Sequence, residues 1–233
     1  MTQPAGGTAP RPLIHQHGVR LSALARGRPT QWRSLDIVTG AVLGVAFGVA
    51  FWGFDSFVYT PLSTALSFLP PLKELLLGVW LLPCVAGMLI IRRPGAALLV
   101  EMVAASIEAL LGNYWGLTVL ISGLLQALGV ELVAAVLRWR RFDLTMAVLG
   151  GIMAAVLEIL AYEWWFMVPE YSWTWKLLYL AAGILSGAVI AGVGGHLLVK
   201  ALAATGSLNA FPPGEDHLRA GGEPLHDAFP AAG

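Results

Sequence analysis

The chain has 233 residues, of which 57% are apolar and 12% charged, with a mean hydropathy of +0.73 and a formal net charge of zero. A soluble domain carries roughly a quarter charged residues, so this composition excludes an ordinary water-soluble globule and points to an integral membrane protein. The balanced charge gives no reason to expect nucleic-acid binding.

Residues 1–31 are rich in Pro, Gly and Arg without sustained periodicity and read as a mobile basic tail. Six apolar blocks follow, at 36–54, 74–91, 96–111, 117–137, 144–168 and 177–199, each near the ~20 residues that cross a bilayer as a helix. Barrel strands would alternate apolar and polar residues, whereas these blocks are apolar all round. The expectation is therefore an all-α bundle of six transmembrane helices over residues 32–204. The third block is the shortest and holds Glu101 and Glu108. Residues 205–233 mix Gly, Pro and acids and read as a second mobile tail.

Gly40, Gly44 and Gly48 recur every fourth residue in the first block. Small residues at that spacing let a second helix approach closely, which suits a partner protein or a neighbouring span equally. The connection 55–73, "DSFVYTPLSTALSFLPPLK", reads as a moderately apolar loop, either a lid over a site or a segment on lipid headgroups. The single cysteine, Cys84, reads as a small apolar filler.

Basic residues orient the bundle. Of the fourteen Lys and Arg, all but Lys73 and Lys176 fall in the termini or in the breaks after the second and fourth blocks. Both termini are accordingly expected in the cytoplasm of a multi-pass cell-membrane protein.

Glu101, Glu108, Glu131 and Glu158 lie within apolar blocks that hold no Lys or Arg interior. An ionised group at the bilayer centre costs at least ~2.5–3.5 kcal/mol, so these acids need water, hydrogen bonds or a partner. Glu101 and Glu131 fall towards the cytoplasmic side, where helix anchoring or interhelical hydrogen bonding is the expected role. Glu108, Asn113, Tyr114 and Trp115 converge on the outer half, with Trp52 and Trp80 at similar depth. Glu158, Tyr162 and Trp165 at i, i+4 and i+7 share a helix face, and Gln126 sits near mid-span. Acids and amides beside aromatic rings suit a planar, nitrogen-rich ligand: rings stack while a carboxylate accepts from an amine. Interface decoration by Trp and Tyr is the competing reading.

Other chemistries find no footing. No Walker loop, HExxH motif or cysteine pair occurs, so neither a catalytic nor a metal site is expected, and no cofactor. A proton-coupled carrier acting alone, or a membrane assembly factor without transport, remain alternatives.

The stretches "WRSLDIVTGAVLGVAFGVAFW", "GVWLLPCVAGMLIIRRPGAALLVEMVAASIEALLGNYWG", "ISGLLQALGVELVAA" and "LVKALAATGSLNAF" resemble the YkoE family. Its members are substrate-binding S components of energy-coupling factor (ECF) transporters linked to thiamine precursors, notably hydroxymethylpyrimidine. The resemblance implies capture of such a ligand from outside, and assembly with a transmembrane coupling protein and two ATPase subunits. It also gives the Gly40, Gly44 and Gly48 face a candidate partner and the 55–73 connection a candidate role as a gate.

Overall fold

The computed structural model describes residues 31–66 and 68–221. The basic tail expected over 1–31 thus lies outside the described residues, except for its last position. Seven helices run in chain order: α1 Ser34–Ala65, α2 Pro70–Ile91, α3 Ala96–Leu111, α4 Gly116–Val136, α5 Leu144–Phe166, α6 Trp173–Ala204 and α7 Pro212–Ala220. No strand occurs among the described residues. Five of the helices, α1, α2, α4, α5 and α6, are long and apolar enough to cross a membrane. At 16 residues α3 is shorter.

Short connections make successive long helices reverse direction, so one end of the bundle collects Arg33, Arg92, Arg93 and Arg138 while the other collects Tyr59, Trp80, Tyr114 and Trp115. The axis of the bundle is α2. Its run "LPCVAGMLII" is apolar on every side and is buried from Pro83 to Ile91, as expected for a helix without a polar face. It touches every other helix. The outward faces of the surrounding helices are apolar as well: Val38, Val42, Val45 and Val49 line the outer side of α1, where lipid rather than water is the natural solvent.

Gly40, Gly44 and Gly48 turn the opposite way, into α3. A Cβ at Gly44 would fall 2.6 Å from Val103 Cβ and 2.8 Å from the Val100 carbonyl oxygen, and one at Gly48 would fall 2.6 Å from the Ala104 carbonyl oxygen. Close approach of two backbones uses up this face within the chain. That corrects the expectation of a partner interface at Gly40, Gly44 and Gly48.

A second correction concerns 55–73. The segment is helical through Ala65, because α1 widens into a π turn over Asp55–Tyr59 and then resumes. Pro61 cannot donate to a helix, and its position just after the widened turn lets α1 continue past it. Thr60 stitches this junction by donating both N–H and Oγ1 to the Asp55 carbonyl, the latter at 2.8 Å. Further π turns interrupt α5 at Ile159–Glu163 and α6 at Gly187–Gly194.

The arginine end is tied by a buried cluster. Asp36 accepts from Arg33 Nη2 and from Arg93 Nε, each at 2.6 Å, while Trp32 Nε1 donates to the Pro94 carbonyl at 3.2 Å. The stretch after residue 204 is also ordered as far as Gly221. There α7 buries Pro213, Gly214, Glu215 and Leu218, and Asp216 pairs with Arg92 at 2.9 Å. The tail expected over 205–233 is therefore a packed helix in its first half, and 222–233 lie outside the described residues.

Candidate ligand cavity

At the end of the bundle opposite the arginines lies a cavity of about 400 Å³, within the roughly 300–1,000 Å³ of small-molecule sites. The sequence "EALLGNYWG" builds one wall. Helix α3 stops at Gly112, whose φ of 92° is closed to most L-residues, and Gly116 at φ 65° completes the bend. Between them Asn113 Oδ1 accepts from the Trp115 backbone N–H at 2.8 Å, fixing the turn. Trp115 is thereby held in the wall, and Asn113 serves as its support rather than as a lining group.

Trp115 meets Trp80 from α2 and Tyr59 from α1. The Trp80 and Trp115 rings are edge to face at 5.6 Å and 86°, Tyr59 and Trp80 lie at 5.3 Å and 81°, and Tyr59 and Trp115 at 5.0 Å. Three rings from three elements thus close one end. Tyr114 stands at the rim, mostly exposed.

Carboxylates line the rest: Glu74 from α2, Glu101 and Glu108 from α3, and Glu158 and Glu163 from α5. Lys73 is the only lysine or arginine among the described lining residues. Glu158 Oε1 accepts from Gln126 Nε2 at 2.9 Å, whereas Glu158 Oε2 and Gln126 Oε1 are buried without partners. Glu74 Oε2, Glu108 Oε1 and Glu163 Oε2 are likewise buried and unpartnered. Buried polar atoms are ordinarily satisfied, so a cluster of free acceptors around one cavity is a place where donors belong. Tyr171, between α5 and α6, also lines the cavity; burial first, then the nearby Glu170 and Glu74, pushes its phenol above the ordinary value, keeping it a donor.

Six residues expected from sequence therefore share the cavity: Trp80, Glu108, Tyr114, Trp115, Gln126 and Glu158. Trp52, Tyr162 and Trp165 do not. Trp52 points outward against Phe57, Tyr162 stacks on Phe166 at 5.3 Å, and the exposed Trp165 donates to the Leu160 carbonyl at 2.8 Å. The π turn at Ile159–Glu163 explains the last two: its i to i+5 repeat aligns Glu158 with Glu163 instead of Tyr162.

Glu101 keeps the expected interhelical hydrogen bond and in addition reaches the cavity. It lines the cavity floor and accepts the Cys84 N–H at 3.0 Å; α2 changes from a 3-10 helix over Pro70–Val79 to an α-helix over Leu82–Ile91, and this N–H is one of the first-turn donors that the α-helical part leaves free. Cys84 itself is fully buried, its thiol donating to the Leu81 carbonyl at 3.0 Å. Glu131 keeps the anchoring role, accepting from Ala97 N–H in the first turn of α3 at 3.0 Å. Tyr59, Glu74, Glu163 and Tyr179 were not anticipated. An i to i+5 spacing of two glutamates was the one signal available for the α5 pair.

An acid-lined, aromatic-capped cavity inside an apolar helical bundle defines a multi-pass membrane protein with a small-molecule site, and comparison with known proteins sharpens this. A family model for the permease component of an ABC-type cobalt transport system matches residues 35–157. The chain is similar to YkoE of Bacillus subtilis (strain 168), named as a candidate HMP/thiamine permease protein, at 33% identity over 185 residues, covering 79% of this chain and 92% of the relative. A crystal structure of an S-component of an ECF transporter superposes with a TM-score of 0.77 at 32% identity, covering 82% of this chain and 96% of that one. The fold is that of an ECF S component, a plasma-membrane transport subunit. Within that class the chain belongs to the YkoE family.

Proposed function

We infer that the protein is the substrate-binding subunit of an ATP-driven ECF importer and that it captures hydroxymethylpyrimidine or thiamine from outside the cell. The observation that carries this reading is the set of unpartnered carboxyl oxygens on Glu108 and Glu158 in the same cavity as the Tyr59, Trp80 and Trp115 rings. An aminopyrimidine offers an exocyclic amine to a carboxylate, ring nitrogens to an amide such as Gln126, and a flat face to an indole.

Orientation follows from the arginines. With the arginine-rich end in the cytoplasm, the cavity opens towards the outside, and six crossings, α3 included, place both termini inside. ATP hydrolysis belongs to two partner ATPases joined through a transmembrane coupling protein. Since α3 covers Gly40, Gly44 and Gly48, the coupling protein must meet another face of the bundle.

The test is calorimetric titration of the purified protein in detergent with hydroxymethylpyrimidine and thiamine separately, followed by tryptophan fluorescence. Saturable binding of either supports the reading; silence towards both removes the vitamin-precursor assignment. Uptake by the chain alone in liposomes under a pH gradient would favour a proton-coupled carrier instead.

A further inference from the structure

Of the seven arginines among the described residues, five are engaged. Arg33 and Arg93 close on Asp36, Arg92 on Asp216 with its guanidinium over the Phe142 ring at 5.4 Å, Arg141 on Asp143, and Arg219 on Glu215. Arg138 and Arg140 are exposed and have no ion-pair partner among the described residues. Both belong to the connection between α4 and α5.

Backbone strain is concentrated in the same place. Helix α4 closes with the Arg138 N–H donating to the Ala135 carbonyl and the Trp139 N–H to the Ala134 carbonyl, each at 2.8 Å. A closure of this kind ordinarily uses glycine, yet Arg138 at φ 55° and Trp139 at φ 51° hold the left-handed conformation. The Trp139 indole packs against the core, and its Nε1 is buried without an acceptor among the described residues. Costs of this sort gather where a position has a task. Keeping basic residues on one side of a membrane needs only charge, whereas this loop also fixes the backbone that carries the charge.

The surroundings name the counterpart. Helices α4 and α5 are both long and apolar enough to cross the membrane, so the loop joining them stands where hydrocarbon gives way to headgroups. Leu132 and Val136 before it and Leu144 after it are exposed, an apolar flank beside two unpaired guanidinium groups. Guanidinium recognises phosphate through paired N–H donors, and a free phosphate would have no use for the flank. We propose that Arg138 and Arg140 form a headgroup site for an anionic phospholipid, with Trp139 as the positioning residue between them and the acyl chains lying along Val136 and Leu144. The inference goes beyond the functional reading above and does not depend on it.

The test is calorimetric titration of the full chain in a neutral detergent with short-chain phosphatidylglycerol, short-chain phosphatidylcholine and inorganic phosphate separately. The unaltered protein should bind phosphatidylglycerol saturably and at least about tenfold more tightly than either of the others. Arg138→Gln and Arg140→Gln should each weaken phosphatidylglycerol about tenfold, whereas Arg219→Gln, which removes the same charge from the same end of the bundle, should not. Trp139→Ala keeps every charge yet should weaken phosphatidylglycerol as well, while Trp139→Phe should not; a monodisperse size-exclusion peak shows that each variant is folded. Equal affinity for phosphatidylglycerol and phosphatidylcholine overturns the proposal, and so does an equal loss in all three arginine variants, which would leave diffuse positive charge alone. Phosphate bound as tightly as phosphatidylglycerol would make the patch a site for a free anion instead of a lipid, and silence towards phosphatidylglycerol would hand it to a protein partner.

Discussion

Asp36 and Arg93, fifty-seven positions apart, meet at 2.6 Å with almost no exposure to solvent. This pair joins the start of α1 to the turn between α2 and α3, and Arg33 completes it from the other side. Asp36→Asn keeps the shape but leaves the Arg93 guanidinium buried beside a neutral amide. Removing one partner of a buried pair costs about 3–5 kcal/mol. Thermal unfolding in detergent should show a large drop in midpoint, with ligand affinity at the far end of the bundle unchanged at temperatures where the variant is folded.

Gly44→Leu should fail as a folding variant rather than as an assembly variant. The new side chain meets the Val100 carbonyl and Val103 before it can find space, and backbone does not yield as a flexible side chain does. The cost should lie at or above the roughly 3 kcal/mol upper end for overpacking. Size-exclusion chromatography of the isolated protein checks this: a monodisperse peak at normal yield would return the glycine face to solvent or partner.

Glu108→Gln removes a carboxyl whose Oε1 has no partner in the cavity. Affinity for both hydroxymethylpyrimidine and thiamine should fall about tenfold. Unaltered affinity in calorimetry would take Glu108 out of the site.

Fluorescence separates the tryptophans. Trp80→Phe and Trp115→Phe should reduce ligand-induced quenching because both rings line the cavity. Trp52→Phe and Trp165→Phe should leave it intact, and Tyr162→Phe should leave the affinity itself intact. Loss of the signal in Trp165→Phe would place the ligand on the outer face of α5.

Asp143 caps α5 by accepting the Met146 N–H at 3.0 Å. That N–H, with Arg141 nearby, holds its carboxyl below the ordinary value of 3.8. A lowered acid contributes stability that is complete at neutral pH and is lost as pH falls through the folded value. Asp143→Ala should cost about 1 kcal/mol at neutral pH and less in acid, so the stability curves of the two proteins should converge on the acid side.

The spans were legible because apolar blocks of membrane length have few alternatives, and the arginines marked one end. The turn 112–116 was legible as a cavity wall because it packs glycines, an amide and an indole into five positions. What escaped had one cause in two places. A regular 3.6-residue repeat assigns Tyr162 to the face of Glu158, and the polar break at Asp55 ends the first apolar block, but each helix widens by one residue there and α1 runs on past Pro61. No local propensity announces a π turn; it arises where the tertiary site requires Tyr59 and Glu163 to face inward. Glu101 makes the interhelical bond expected of it, but its place in the cavity lining escaped, because depth counted from the ends of a short helix ignores how far a cavity reaches down. The glycine stripe was read correctly as a close-approach surface, but the sequence alone did not say which helix would approach.

The sealed position of Cys84 has a practical result. With the only thiol of the chain fully buried and engaged with a carbonyl, the natural protein is in effect blank to maleimide reagents. A single cysteine placed at Phe57 of α1 or at Phe68 in the connection after it, both largely exposed, would carry a spin or fluorescent label at one address, so this end of the bundle can be followed during ligand titrations without first rebuilding the core.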